Sequence, residues 1–249
     1  MKRMAVHNGI FHADDVFGVA LMQSIYNDLE IIRTRDEELI KTCDIVSDVG
    51  NGKYDHHHVD KIRRENGIPY CGFGLLWRDF GISYINAKFP DLSNLKEQQE
   101  VAEKVDTILI QQIDAQDNGV DVMTSQVPIM TLCDIIYTFI PTGAGEDEIE
   151  KGFFEAVEFA KKILYKTIKT AQTWIIFLWL LRRILLIFCA NSPKGQAQTK
   201  LRKSSYARNH DEKYSIGLCN FYCLDLLFFM RGCGVGCDAC DSLMKLLMR

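Results

Sequence analysis

The first part of the sequence predicts an α/β domain with a parallel sheet and flanking helices. Two observations lead to this fold class. The first 50 residues alternate between short apolar runs typical of strands and longer runs with helical spacing, an order that favours parallel strands joined by crossover helices. In addition, 47% of the 249 residues are hydrophobic and 25% are charged. That composition is typical of globular domains and excludes a disordered or collagen-like chain.

The predicted elements follow one another with short turns between them. Residues 3–7 form a first strand that ends at the turn Asn8-Gly9. Residues 13–28 form a first helix, because apolar side chains recur there at nearly helical spacing. The other elements of this unit are a strand at 31–32, a brief helix at 37–42 and a strand at 45–49. In parallel sheets of this kind, ligands bind beyond the carboxyl ends of the strands.

From about residue 70 the sequence is predominantly helical. Apolar spacing predicts helices at residues 70–80, 95–113 and 148–170. The clearest break between them is the run of residues 139–145, which contains one proline and two glycines. We therefore predict one domain at residues 1–145, followed at 146–249 by a helical linker and an incomplete or divergent C-terminal region.

Charge and cysteine content divide the chain near residue 172. Residues 1–172 hold 18 Lys and Arg against 28 Asp and Glu, a net charge of −10, whereas residues 173–249 hold 11 against 5, a net charge of +6. Six of the nine cysteines lie in the second part. The overall charge of −4 excludes a broadly basic surface, so any nucleic acid must be bound through a local patch or through metal.

Two features of the second part could indicate a membrane segment and a zinc site, but neither interpretation is favoured. The apolar run at 174–181 is eight residues long before Arg182-Arg183, whereas a spanning helix needs ~20 apolar residues. Of the five cysteines between residues 219 and 240, only Cys237 and Cys240 have common zinc-finger spacing. Reduced cysteines without a metal are therefore expected there.

Histidines and acids gather directly after the predicted strands. The three groups are His7, His12, Asp14 and Asp15 after the first strand, Asp48 after the third, and Asp55, His56, His57 and His58 just beyond it. Because the carboxyl ends of parallel strands meet at one edge, these side chains should converge. A single His pair on a loop is more often a surface feature. Three such groups together predict a metal site, and imidazole with carboxylate suits Mn²⁺, Zn²⁺ or Fe²⁺.

These motifs resemble the melanocyte proliferating gene (MYG) exonuclease family of the DHH phosphoesterase superfamily. The resemblance rests on five ordered segments, at residues 7–15, 33–36, 48–50, 54–57 and 114–119. It covers about residues 4–170. Nothing after about residue 172 is similar to the second domain of the family, which carries a glycine-rich motif. We therefore expect a DHH-type domain followed by a truncated or divergent, mostly helical C-terminal segment.

The resemblance implies a centre of two divalent ions, most readily Mn²⁺, with Mg²⁺ or Zn²⁺ as alternatives. The metal ligands it assigns are His7, His12, Asp14, Asp48, His56 and Asp117. Asp48, bridging the ions, and His57, facing the phosphate, would be catalytic. Arg33 and Arg35 would bind flanking phosphates, with a solvated loop as an equal alternative. The residues that would orient the other groups are Asp15, Asp55 and Asp114.

The implied activity is hydrolysis of phosphodiester bonds by a metal-activated water. Eukaryotic members are regarded as 3′-to-5′ RNA exonucleases, so RNA or short oligonucleotides are the expected substrates. Two alternatives stay open: hydrolysis of a small phosphate compound such as pyrophosphate or a cyclic dinucleotide, and a catalytically impaired metal-binding remnant. The N-terminus has no secretory apolar core, so we expect an intracellular, cytoplasmic protein, with nucleus and mitochondrion as alternatives. A homo-oligomer is left open.

Overall fold

The computed structural model describes residues 1–57, 61–92, 94–122, 125–143 and 145–191. Contacts between Cα atoms divide the chain into a compact unit, Met1–Ile176, and a second unit, Phe177–Arg249. His58, the cysteines at 219–240 and the remainder of the predicted divergent segment at 192–249 lie outside the described residues. Within the described ranges, no helix has an apolar stretch long enough to cross a membrane.

Three parallel strands form the sheet, in the order β2-β1-β3. They are β1 at Lys2–Val6, β2 at Leu29–Arg33 and β3 at Ile45–Val46. The central strand pairs with β2 along its whole length, from Lys2 opposite Leu29 to Val6 opposite Arg33. Its inner residues Met4, Ala5 and Val6 are fully buried, as expected of a parallel strand covered on both faces. The predicted α/β class with a parallel sheet is confirmed.

The helices account for most of the remaining described chain. They are α1 at Ala13–Ile25, α2 at Glu37–Ile40, α3 at Gly72–Lys88, α4 at Leu95–Val105, α5 at Gln111–Asp117, α6 at Leu132–Tyr137 and α7 at Glu146–Asn191, with a π-helical segment at Asp106–Ile110 between α4 and α5. The predicted helix at 70–80 continues through Gly81 to Lys88 and ends just before Phe89-Pro90, where the proline cannot continue it. Likewise, no glycine or proline separates the predicted helix at 148–170 from the apolar run that follows it, and α7 includes both.

The first unit is organised around α1, which is almost completely buried. Its first ten residues are all buried, and they include the carboxylates Asp14 and Asp15. The helix lies against α3 on one side. α7 adds a buried stripe at helical spacing, at Phe153, Ala156, Val157, Ala160, Leu164, Ile168 and Ala171. The contacts thus include α7 up to Ile176 in the first unit, while the predicted domain boundary at residue 145 stays a prediction.

Candidate metal centre

The strand order brings the predicted acid and histidine groups to one edge of the sheet. His7 follows the last residue of β1, and Ser47-Asp48 follow the last residues of β3, which is the neighbour of β1. The next segment then folds back onto the end of β3, because the Asp48 amide donates to the Tyr54 carbonyl at 3.0 Å. This return places the residues after Tyr54 beside His7 and the start of α1.

The turn after β3 has an unusual backbone. Asp48 and Asn51 adopt left-handed conformations, with φ of 54° and 55°, and Gly50 between them has a φ of 74°. Non-glycine residues seldom adopt this region, although Asp and Asn tolerate it best. Asp55 closes the turn, since its Oδ2 accepts a hydrogen bond from the Asn51 amide at 2.7 Å. The tight turn directs the Asp48 carboxylate into the space between the two histidine groups.

Asp48 lies at the centre of the cluster and contacts histidines with both carboxylate oxygens, since His57 Nδ1 also lies 3.4 Å from its Oδ1. Its Oδ2 is 3.3 Å from His7 Nε2, and its Oδ1 is 2.9 Å from His56 Nε2. His7 Nε2 also contacts Asp15 Oδ2 at 2.7 Å. His56 Nε2 lies 3.1 Å from Asp117 Oδ2 and 3.7 Å from Asp14 Oδ2. One carboxylate therefore joins two sets of donor atoms, as a bridging ligand would.

Four overlapping groups have potential ligand atoms within 4.8 Å of one another. They are His7, His12 and Asp15; Asp48, His56 and His57; His12, Asp14 and Asp117; and Asp14, Asp15 and Asp48. All six ligands predicted from the sequence occur in these groups. Asp15, which the sequence analysis assigned to an orienting role, is also near enough to be a ligand. In addition, it caps α1 by accepting from the His12 amide at 3.2 Å.

The strongest sign that the cluster fits a cation is Asp14. Its side chain is fully buried, and among the described residues neither carboxylate oxygen has a hydrogen-bond partner. Burying a carboxylate without a partner is costly, and native structures do so chiefly where an ion or a function compensates. The donor set of imidazoles and carboxylates is one that divalent transition metals prefer. The residues present therefore fit a divalent metal.

The electrostatics of the cluster support this conclusion. Burial, followed by the charges of Asp48, Asp117 and Asp15, raises the pKa of Asp14 well above its ordinary value. Burial likewise raises the pKa of Asp117, although His56 opposes the shift. Burial alone would lower the pKa of His7, but its hydrogen bonds to Asp15 and Asp48 outweigh that effect and raise it to about 10. Negative charge is therefore concentrated where it is poorly solvated, and a dication would relieve it.

The cluster lines a cleft with a volume of about 690 Å³. His56 lies deep in it, whereas His57 has a side chain 62% exposed. The His57 Nδ1 is 2.8 Å from Asp55 Oδ1, so that a carboxylate accepts from one ring nitrogen and leaves Nε2 available. Asp134 and Tyr137 line the cleft from α6, although they were not among the site residues predicted from the sequence. Only the reciprocal cap between Thr131 and Asp134 could have indicated this short helix.

The two predicted phosphate-binding arginines lie in different surroundings. Arg35 lines the cleft and donates to the Asn8 carbonyl and side chain. Arg33 does not line the cleft and has a side chain only 3% exposed. Its guanidinium donates to the Gly9 carbonyl at 2.7 Å, pairs with Glu150 at 2.8 Å and lies 4.2 Å over the ring of Phe153. The structure thus favours a structural role for Arg33, linking the His7 loop to α7.

We expect alanine substitutions of these two arginines to have different effects on the stability of the protein. Arg33→Ala should lower the free energy of unfolding by about 2–3 kcal/mol, because it leaves the Gly9 carbonyl without its donor and empties the space over Phe153. Arg35→Ala should change it by less than about 0.5 kcal/mol, as is usual for an exposed side chain. Urea denaturation of both variants measures the difference. Equal losses of stability would contradict these assignments.

Asp114 lies behind the centre, and within the described part of the chain its carboxylate forms no hydrogen bond or ion pair with the predicted ligands. It is fully buried, and its carboxylate accepts from Cys71 and pairs with Arg64. Burial raises its pKa to about 6, and the charge of Arg64 limits that shift. Asp114 lies one helical turn before Asp117 in α5. An orienting role, as expected from the sequence, is compatible with this position.

Comparison with known proteins gives concordant matches. A family model named MYG1_exonuc, described as an uncharacterised protein family (UPF0160), matches residues 3–185. A MYG1 protein of Schizosaccharomyces pombe is 27% identical over 181 residues, covering 66% of this chain and 56% of that protein. Human MYG1 exonuclease is 30% identical over 182 residues, covering 64% and 48%. A MYG1 protein of Chlamydia muridarum is 31% identical over 173 residues, covering 66% and 53%. The chain thus spans about half the length of these relatives. No solved structure matches significantly.

Proposed function

Because the chain belongs to the MYG1 exonuclease family, we propose that it is a metal-dependent phosphodiester hydrolase of the DHH type. The observation that carries this proposal is the convergence on Asp48. Three imidazoles, those of His7, His56 and His57, contact its two oxygens, and the carboxylates of Asp14 and Asp15 lie within 4.8 Å. The printed names of the human and rat relatives, MYG1 exonuclease, support a nuclease activity for this chain.

The residues that would hold two divalent ions are His7, His12, Asp14, Asp48, His56 and Asp117. When bound, such ions lower the pKa of a coordinated water and stabilise the negative charge that develops on a phosphoryl group. Mn²⁺ is the proposed ion, with Mg²⁺ or Zn²⁺ as alternatives. The mixture of imidazole and carboxylate supports Mn²⁺ or Zn²⁺ over Mg²⁺, which prefers oxygen ligands alone.

The side chains of the cleft would perform distinct tasks in the reaction. Asp48 would set the spacing of the centre, since its left-handed backbone and its three histidine contacts fix the carboxylate. His57, in its imidazolium form with Nδ1–H donating to Asp55, would give the Nε2 proton to the leaving oxygen and so become the neutral ring. Arg35, which is exposed beside the cleft, would bind a neighbouring phosphate of the substrate.

An extended substrate is compatible with the shape of the site. The cleft is open to solvent and larger than pyrophosphate requires, which supports RNA or a short oligonucleotide. It is lined by several acids, with Arg35 the one Lys or Arg among the described lining residues. Tight binding of a long polyanion by this part alone is therefore disfavoured. We propose cleavage from the 3′ end of short single strands. A cytoplasmic location stays a prediction, and the oligomeric state stays open.

One assay with Mn²⁺ tests the proposal against its alternatives. The full-length chain is incubated with 3′-labelled RNA, 5′-labelled RNA, a dinucleotide, a cyclic dinucleotide and pyrophosphate. Stepwise shortening of 5′-labelled RNA, with immediate loss of a 3′ label, is the expected result. Release of phosphate from pyrophosphate, or opening of the cyclic dinucleotide, would instead support a small-molecule hydrolase. No turnover despite measured Mn²⁺ binding would identify a metal-binding remnant.

In the same assay, Asp48→Asn should lower the rate by at least about 10³-fold, because it replaces one of the two carboxylate oxygens that face His7 and His56 with a nitrogen donor. The fold should persist, and circular dichroism checks this. Asp44→Asn is the matched control, since within the described part of the chain the Asp44 carboxylate accepts only from the Arg3 amide, at the far end of β3. Full activity of Asp48→Asn with added Mn²⁺ would refute the assignment.

A further inference from the structure

A buried arginine behind the metal centre joins two carboxylates that lie eight residues apart on one helical run. The Arg64 side chain is 6% exposed. Its Nε and Nη2 donate to the two oxygens of Asp106 at 3.0 and 2.6 Å, and its Nη1 lies 2.5 Å from Asp114 Oδ2. The guanidinium also stacks 3.9 Å over the Tyr70 ring. An arginine on a solvent-facing loop would make fewer fixed contacts than Arg64 does.

The π-helical segment explains how one guanidinium can reach both acids. In a regular α-helix, residues eight apart point in directions about 80° apart, whereas residues seven apart differ by only about 20°. At Asp106–Ile110 the helix widens, and the Gln111 amide bonds to the Asp106 carbonyl five residues back. The wider turn accommodates one extra residue. Asp106 and Asp114 consequently face the same side of the helix, where Arg64 lies.

The orientation of α5 decides where Asp117 points. Asp117 is three residues after Asp114, on the same short helix. Its Oδ2 contacts His56 Nε2 at 3.1 Å, which makes it the part of the proposed centre that comes from α5. Asp114 anchors that helix to the start of α3 by accepting from the amide and thiol of Cys71. A rotation of α5 would therefore break the hydrogen bonds between Asp114 and Cys71 and, at the same time, move Asp117 away from His56.

From these contacts we infer that Arg64 is a positioning residue for the metal centre, fixing the rotation of α5 through Asp106 and Asp114 so that Asp117 meets His56. The inference rests on the metal centre proposed above. It adds a residue outside the cleft that holds one of the proposed metal ligands in position. Arginine suits this task because its planar fork forms several hydrogen bonds of fixed direction at once. A lysine would keep the charge but could not make the same set of bonds.

Calorimetric titration of the full-length chain with Mn²⁺ tests the inference without requiring turnover. Arg64→Lys should increase the Mn²⁺ dissociation constant by about tenfold, as is common for residues that orient a metal ligand. Arg63→Lys, at the neighbouring exposed arginine that donates to the Gly67 carbonyl, should leave it unchanged. Asp106→Asn, which keeps the shape but weakens the hold on Arg64, should give a smaller increase.

A double substitution separates positioning from a general structural effect. If Arg64 acts through Asp117, Arg64→Lys should change Mn²⁺ affinity by less than about twofold in an Asp117→Asn background, because coupled residues are not additive. A full tenfold loss in that background would overturn the inference. If Asp117→Asn binds no Mn²⁺, a His7→Ala background decides, and there the loss should persist.

The remaining outcomes are also decisive. If Arg64→Lys does not fold, unchanged affinity in Asp106→Asn overturns the inference, and weakened affinity supports it. Mn²⁺ binding by the unsubstituted chain without hydrolysis of any substrate would refute the proposed activity and leave the role of Arg64 intact. Failure of the unsubstituted chain to bind Mn²⁺ would refute both.

Discussion

Replacing Asp14 with asparagine should stabilise the metal-free protein and destabilise the metal-loaded protein. In EDTA, we expect Asp14→Asn to raise the free energy of unfolding by about 1–2 kcal/mol, because it removes a buried carboxylate without a hydrogen-bond partner and relieves its repulsion by Asp48 and Asp117. With Mn²⁺ at 100 times its dissociation constant, the unsubstituted chain should gain about 2.7 kcal/mol. The variant should lose most of that gain.

Thermal denaturation in EDTA and in Mn²⁺ measures both halves of this prediction, and the order of the two melting temperatures should reverse. Asp36→Asn is the matched control. Its carboxylate caps α2 by accepting from the amides of Glu38 and Leu39, and asparagine serves equally well at that position. The control should therefore retain the full response to Mn²⁺. An Asp14→Asn protein that is less stable than the original in both conditions would show that Asp14 is a structural residue.

Gly74→Ala should lower the free energy of unfolding by about 2–3 kcal/mol, the upper range for overpacking a buried site. A Cβ on Gly74 would overlap the carboxylate of Asp114. That carboxylate cannot move aside, because Arg64 and Cys71 hold it in a fully buried position. The intrinsic helix propensity of alanine offsets only part of this cost, about 1 kcal/mol. Urea denaturation gives the free energy of unfolding directly.

Gly18→Ala is the control for this substitution. Gly18 lies in α1, and there the nearest neighbour of a new Cβ is the Leu76 side-chain end at 3.1 Å, which can adjust. We expect a change within about 1 kcal/mol. In an Asp114→Ala background the cost of Gly74→Ala should nearly vanish, since the obstructing carboxylate is gone. A cost that persists there would locate the strain elsewhere in α3.

The fold class could be predicted because its signals are local. Alternating strand and helix patterns in the first 50 residues identify the β1-α1-β2 crossover, and the structure confirms it. Shorter or irregular elements left weaker signals. α6 has only six residues, and the π-helical segment at Asp106–Ile110 interrupts a pattern that still reads as helical. Because of this segment, residues eight apart, Asp106 and Asp114, lie on the same face of the helix. This effect is visible only in the three-dimensional structure.

The residues of the candidate site also differ in how far the sequence predicts their positions. Convergence of His7, Asp48 and His56 follows from the general rule that ligands gather at the carboxyl ends of parallel strands. Asp117 was found only through the family resemblance, because it lies in a helix more than a hundred residues from His7. The surroundings of Arg33 could not be read from its motif, since its partner Glu150 is 117 residues away. The local sequence indicates which chemistry a residue can perform, whereas partners that are distant in sequence determine whether its side chain is buried.

The central place of β1 in the sheet has a consequence for the order in which the chain can assemble. Of the three strands of the sheet, β1 is synthesised before the other two, yet it needs neighbours on both sides, and these end only at Arg33 and Val46. The last proposed ligand, Asp117, follows much later. Closing such long loops carries an entropic cost before contacts compensate it, and parallel pairing is intrinsically slow. A nascent chain interrupted before α5 would therefore contain all three strands and most of the acidic cluster but, without Asp117, no complete metal centre.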